Sequence, residues 1–82
     1  MKKYIKLLYH PKQRLFHLAD EGDPINRHLG WCYIARLPVN NLPPYNLAID
    51  FIYYAEERIL NSGKIITYKI MRDEFYKWLY KI

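Results

Sequence analysis

Three histidines and one cysteine are the only soft metal ligands of this chain: His10, His17, His28 and Cys32. Structural zinc takes four ligands in a tetrahedral array, and these usually come as close pairs along the sequence. Here the one close pair is His28 and Cys32, which straddle Gly30. The spacing therefore disfavours a metal site. We expect solvent-facing histidines, a buried thiol and no bound cofactor.

The hydroxyl, acidic and glycine residues do not form a catalytic set either. Ser62 belongs to a predicted helix stop signal and Thr67 to a predicted helix N-cap, so neither hydroxyl needs a catalytic role. The acidic loop at 20–23 lacks the longer run of ligands, ending in Glu, that a calcium loop needs. The three glycines are too scattered to form a phosphate-binding loop. We therefore predict that the protein is not an enzyme. An enzyme or small-ligand protein would need a pocket lined by His17, His28 and Cys32.

Basic residues interleaved with aromatic rings are the strongest functional feature of the sequence. Thirteen Lys and Arg against eight Asp and Glu give a formal charge of +5. Nine Tyr, three Phe and two Trp occur among only 82 residues. Because so small a domain cannot bury all of these rings, several tyrosines should lie at the surface. Exposed aromatic rings and arginines are the residues that anchor protein interfaces. The net positive charge is compatible with an acidic protein or a nucleic acid as the binding partner, and it does not distinguish between the two.

Our first hypothesis is a non-catalytic protein-binding module, such as a small inhibitor or adaptor of the kind common in phages and mobile elements. Its basic, tyrosine-rich surface would engage an acidic protein, for example a nucleic-acid-handling enzyme. We expect the contacts on the exposed face of the main helix, at Tyr53, Tyr54 and Arg58. Two copies of the chain could also associate through one face as a homodimer.

The alternative hypothesis is direct nucleic-acid binding by the basic N-terminal hairpin, because single strands bind in cationic grooves with stacked rings. The residues expected to contact phosphates are Lys2, Lys3, Lys6, Lys12 and Arg14. The residues expected to stack on bases are Tyr4 and Tyr9. A third interpretation needs no ligand: the lysine stems cover core rings while their charged heads stay in water.

The first half of the chain should contain the strands. The stretch KYIKLLYHPKQRLFHLAD at 3–20 alternates apolar and polar residues on both sides of a Pro-containing turn, which predicts an antiparallel hairpin. The segment 20–30 is a loop, and WCYIARLPV at 31–39 predicts a third strand. Strict alternation would place Trp31, Tyr33, Ala35 and Leu37 on one face of that strand.

The second half should contain two helices. The apolar residues of 45–60 recur at helical spacing, and Asn61-Ser62-Gly63 is a stop signal. Residues 64–70 favour β structure, yet Thr67 is a suitable N-cap, and Ile66 and Met71 occupy the positions of a hydrophobic staple. We therefore predict a second helix from about Tyr68, with a strand over 64–70 as the alternative.

Together these elements predict one α+β domain spanning 1–82, in which a three-stranded antiparallel sheet is followed by two helices packed on one face. The single cysteine excludes an internal disulfide, which favours a reducing compartment. The apolar run near the N-terminus is interrupted by Lys6 and is too short for a signal peptide or a membrane span. We expect a cytoplasmic protein.

Overall fold

The computed structural model describes the backbone of residues 3–39 and 44–81, and the side chains of 4–37 and 47–81. Its strands and helices are β1 (Lys3–His10), β2 (Leu15–Asp20), β3 (Cys32–Val39), α1 (Pro44–Arg58) and α2 (Tyr68–Lys81). The strands form an antiparallel sheet in the order β2-β1-β3. Side chains from α1 and α2 share a core with one face of this sheet. The predicted fold is confirmed.

The hairpin closes through a turn that also ties the sheet to the helices. Its register pairs Leu7 with Leu18 and His10 with Leu15. Arg14 adopts a left-handed conformation, with φ of 56°, and its N–H donates to the His10 carbonyl at 2.7 Å. The Arg14 guanidinium then donates to the carbonyls of Leu60 and, at 2.7 Å, of Lys64. One turn residue therefore holds the connection between α1 and α2.

A β-bulge in β3 overturns the expected alternation of that strand. Leu7 pairs with Ala35 and Leu8 pairs with Tyr33, so Ile34 has no partner on β1. Leu7 and Leu8 point to opposite faces of the sheet, and hence Tyr33 and Ala35 do as well. The prediction that these two residues share a face was wrong. An apolar–polar pattern with period two cannot reveal one extra residue in a strand whose neighbours are also apolar.

The core lies between the sheet and the helices. Ile5, Leu7 and Tyr9 of β1 have no more than 2% of their surface exposed. The helix residues buried in the same core are Ala48, Phe51, Ala55, Met71 and Phe75. The Phe51 and Phe75 rings meet edge to face, with centroids 4.9 Å apart, an arrangement that aromatic pairs prefer. The residues that α1 buries are thus among the apolar residues that recur at helical spacing over 45–60.

The other face of the sheet is covered by residues 21–31, which we call the covering loop. The Lys6 ammonium donates to the Asp23 carbonyl and is almost completely buried. His10 is buried too: its Nδ1 accepts from the Gln13 N–H at 3.1 Å, and its Nε2 lies 2.8 Å from the Leu29 carbonyl. Since Nδ1 accepts, the proton must lie on Nε2, which donates to Leu29. The expectation of a solvent-facing His10 was therefore wrong.

The second helix begins where the N-cap signal places it. Thr67 Oγ1 accepts from the Ile70 N–H at 3.3 Å, and the Thr67 carbonyl accepts from the Met71 N–H at 3.0 Å. Ile66 and Met71 are both buried, as a hydrophobic staple requires. The prediction of a helix from Tyr68 is confirmed, and residues 64–67 have no regular secondary structure and do not belong to the sheet.

Replacing Tyr9 with phenylalanine should destabilise the fold without changing its shape. The Tyr9 hydroxyl donates to the Ile66 carbonyl at 3.1 Å in a buried setting. Tyr9→Phe leaves that carbonyl unpaired, so the free energy of unfolding should fall by about 1–2 kcal/mol in urea titrations. Tyr80→Phe is the matched control, because Tyr80 is largely exposed and should change stability little. Equal stability of both variants would contradict a structural role for the hydroxyl.

The same hydroxyl should make the fold sensitive to alkali. Burial raises the pKa of Tyr9 above its ordinary value of 10.0, although Arg14 partly opposes the shift. Because the folded state holds this proton more tightly, the stabilisation is complete below pH 10.0 and is lost as the pH rises above it. Urea midpoints measured at about pH 8.5 and about pH 11 should therefore fall less for Tyr9→Phe than for the parent chain. A parallel fall would refute the linkage.

The glycines offer a graded test of the covering loop. Gly30 has φ of +101°, and a Cβ there would lie 2.5 Å from His10 Nε2. Gly63 has φ of +75° with open space around it, and Gly22 has open space without positive φ. Changing Gly22, Gly63 and Gly30 to alanine should cost about 0–0.5, about 1–2 and more than about 2 kcal/mol in urea unfolding. A Gly30→Ala cost no larger than that of Gly63→Ala would mean that the loop does not press on His10.

Candidate functional site

A groove lies beside the start of β3, and none of the described residues that line it belongs to β1 or β2. The strand order leaves β3 at an edge of the sheet, with β1 as its only neighbour. The N-terminal part of α2 forms one wall of the groove, and the end of the covering loop forms the other. The residues that line it are Arg27, Gly30, Trp31, Cys32, Tyr33, Tyr68 and Arg72. We call it the Arg27–Arg72 groove.

The Arg27–Arg72 groove is cationic and aromatic, and none of the described residues that line it carries a carboxylate. Arg27 and Arg72 are both exposed. Across residues 4–37 and 47–81, the ion pairs join Arg36 to Glu21 and Lys77 to Glu74, so neither groove arginine is neutralised by one of them. The guanidinium carbon of Arg72 lies 5.9 Å from the centroid of the Tyr68 ring. Both positive charges are therefore available to an anionic ligand.

The rings of the groove come from the covering loop, β3 and α2, and the aromatic surface continues along α2 beyond the groove. Tyr68, Arg72 and Tyr76 are four residues apart on α2 and so occupy one face of that helix. Burial raises the pKa of Tyr33, with smaller contributions from neighbouring Arg36, which lowers it, and from Tyr76, which raises it. Tyr33 therefore keeps its phenol proton at neutral pH and can both donate and accept hydrogen bonds.

Sequence reasoning missed this site. It considered Trp31 and Tyr33 only as strand residues and Tyr68 only as part of an apolar helix stripe. The four-residue spacing of Tyr68, Arg72 and Tyr76 was a usable signal for one wall. The opposite wall could not be found in this way, because only the folded covering loop brings Arg27 near Arg72.

Only part of the helix face expected to bind a partner is exposed. Tyr53 is 66% exposed and Arg58 is exposed. Tyr54 is half-buried, and its ring packs 6.3 Å from Phe51 and 6.4 Å from Trp78, between centroids. Four residues lie three or four positions from Tyr53, and all are exposed: the acidic Asp50, Glu56 and Glu57, and the apolar Ile49. The acidic residues around Tyr53 would repel the acidic partner that this face was expected to bind.

Arg58 and Tyr54 line a different depression, between the end of α1 and the start of α2. Its other members include Ile65, which is 87% exposed, together with Ile70 and Glu74. This surface is apolar with mixed charge. It differs in kind from the Arg27–Arg72 groove, and it provides a place for control substitutions.

Among the described residues, the N-terminal hairpin presents only part of the basic face expected of it. Tyr9 is fully buried, so it has no free ring surface for stacking on a base. Lys6 is held under the covering loop, and Arg14 bonds to the carbonyls between the helices. Lys12 is exposed at the turn. Tyr4 was also expected to stack on bases, but one face of its ring is occupied by Arg36, whose guanidinium carbon lies 3.9 Å from the ring centroid. Lys2 and the Lys3 side chain lie outside the described residues.

The residues considered for metal or catalytic chemistry are kept apart. His17 packs beside Trp31, with ring centroids 5.8 Å apart, whereas His28 is exposed on the short helical turn of the covering loop. The Cys32 thiol lies in the groove, 3.8 Å from the Gly30 carbonyl oxygen. In the part of the chain that the structure describes, no three His, Cys, Asp or Glu residues converge on a point that could hold a metal ion.

Among the described residues, no helix is both long enough and apolar enough to span a membrane. Comparisons of the chain with protein-family models, with curated proteins and with solved structures find no match in any of the three.

Proposed function

We propose that this chain is a non-catalytic protein-binding module, an inhibitor or adaptor, that holds an acidic segment of a partner protein in the Arg27–Arg72 groove. The observation that carries the proposal is the composition of the groove. Two exposed guanidinium groups and three aromatic side chains line it, and no carboxylate does. The residues are those that anchor protein interfaces: Tyr, Trp and Arg.

The chemistry of the groove favours a carboxylate over a neutral ligand. A guanidinium can donate two parallel hydrogen bonds to one carboxylate, and such charge-assisted bonds are stronger than neutral ones. A carboxylate bound between the rings beside Arg27 and Arg72 would be partly shielded from water, which would strengthen the attraction. The net charge of +5 would also speed the approach of an acidic partner.

The partner that suits this site is a protein with clustered Asp and Glu, and a nucleic-acid-handling enzyme is one such class. Enzymes of this class hold magnesium ions through carboxylates, which gives them acidic surfaces. We place the encounter in the cytoplasm, where the free thiol of Cys32 would stay reduced.

Reversing the groove charges should abolish partner capture. We expect the double variant Arg27→Glu, Arg72→Glu to lose the partner in affinity capture from nuclease-treated lysate, because two attractive contacts become repulsive. Arg58→Glu is the matched control, since Arg58 is exposed but lies on the other helix and outside the groove. Circular dichroism should show that both variants remain folded. If Arg58→Glu abolishes capture and the groove variant does not, the site is the α1 face and the groove assignment fails.

A second candidate function is single-strand nucleic-acid binding in the same groove. The observation that favours it is the placement of Trp31, Tyr33 and Tyr68 beside two cations, since unstacked bases bind on such rings. A salt titration with labelled single-stranded and double-stranded probes separates the two candidates. Two phosphate contacts would give a log–log slope of about −1.4 for a single strand. We expect no probe binding that depends on Arg27 and Arg72. Probe binding with such a slope, lost in the double variant, would replace the protein partner with nucleic acid.

A further inference from the structure

We propose that the partner's acidic segment binds as an additional β-strand along the outer edge of β3. This inference rests on the function proposed above, and it specifies the conformation of the bound segment. The chemical class of the ligand is an extended peptide with adjacent acidic residues flanked by apolar ones. Strand addition of this kind uses backbone hydrogen bonds for affinity and side-chain contacts for specificity.

The outer edge of β3 has backbone groups to offer. β3 pairs with β1 on one side only. Among the described residues, the backbone groups of 32–37 hydrogen-bond only to β1. An edge strand presents a row of N–H and C=O groups that another chain can pair. The Arg27–Arg72 groove lies along the first part of this edge, at Cys32 and Tyr33.

The walls of the groove suit the alternation of an added strand. Successive side chains of a strand point to opposite faces of the sheet. One face of the edge is bounded by Tyr68 and Arg72 from α2, and the other by Arg27 and Trp31 from the covering loop. Two consecutive acidic residues would therefore reach one arginine each. Apolar residues next to them would lie against the Tyr68 and Trp31 rings.

The bulge limits how far the added strand can extend. Ile34 is the unpaired residue of β3, and a bulge bends the strand and increases its twist. Regular pairing should therefore be confined to the stretch that precedes Ile34, where the groove lies. This predicts a short recognition segment, centred on two acidic residues, instead of a long edge-to-edge pairing.

A second copy of this chain is a poor occupant of the edge. Pairing β3 with β3 would bring the arginines that bound the groove, Arg27 and Arg72, close to the same residues of the other copy. Like charges across such an edge repel, and the groove contains no carboxylate to offset them. Charge complementarity therefore selects an acidic segment of another protein.

The test uses the full chain and two synthetic peptides of equal charge. The probe is acetyl-Ser-Val-Glu-Asp-Val-Ser-amide, and the control is the same peptide N-methylated at its central amides. We expect the probe to bind at up to about 1 mM in calorimetry, and the control to bind at least about tenfold more weakly, because it cannot donate to β3. Hydrogen exchange should slow at the outward-pointing amides of 31–33 with the probe only. The Arg27→Glu, Arg72→Glu variant should bind neither peptide.

The failures of the two proposals are distinguishable. If both peptides bind equally and the β3 amides exchange at their free rate, strand addition is wrong, whereas an acidic ligand for the groove stands. Absence of probe binding to the parent chain also overturns strand addition. In that case, partner capture by the Arg27→Glu, Arg72→Glu variant decides whether the proposed function survives. Slower exchange along β2 instead of β3 would place the added strand on the wrong edge and refute the proposal.

Discussion

The central strand β1 must be covered on both of its faces, and the rest of the structure depends on this constraint. Every side chain from Ile5 to His10 is buried. The face that carries Ile5, Leu7 and Tyr9 packs against apolar side chains of the helices, and its one hydroxyl, on Tyr9, donates to the Ile66 carbonyl. The opposite face includes Lys6 and His10, whose polar atoms cost free energy unless they are hydrogen-bonded. Carbonyls of the covering loop supply those bonds, so the loop is a structural layer of the protein.

The candidate site is a consequence of that layering. The helices cover one face of the sheet and the loop covers the other, and residues of both line the groove beside β3. Because β3 is an edge strand, its backbone remains open between them. Arg27 comes from the loop and Arg72 from α2, so the pair exists only once both layers are in place. Close packing of Gly30 against His10 sets the position of the loop wall.

The surplus of rings is divided between core and surface as the small size of the domain requires. Tyr9, Phe51 and Phe75 are buried, whereas Tyr53, Tyr76 and Tyr80 keep much of their surface exposed. Exposure alone does not select a binding site, however. Tyr53 lies among acidic residues, while the rings of the groove lie beside arginines. The charges next to each ring, more than the ring itself, determine which partner it suits.

The sequence by itself determined the elements and their order. Alternation about the Pro11 turn, helical stripes, and the Thr67 cap are local signals, because hydrogen bonds and spacing within a few residues produce them. Only the tertiary structure decided the bulge at Ile34, the burial of Lys6 and the approach of Arg27 to Arg72. These depend on residues far apart in the chain, whose proximity follows from how three layers pack. Local patterns carry no record of that packing.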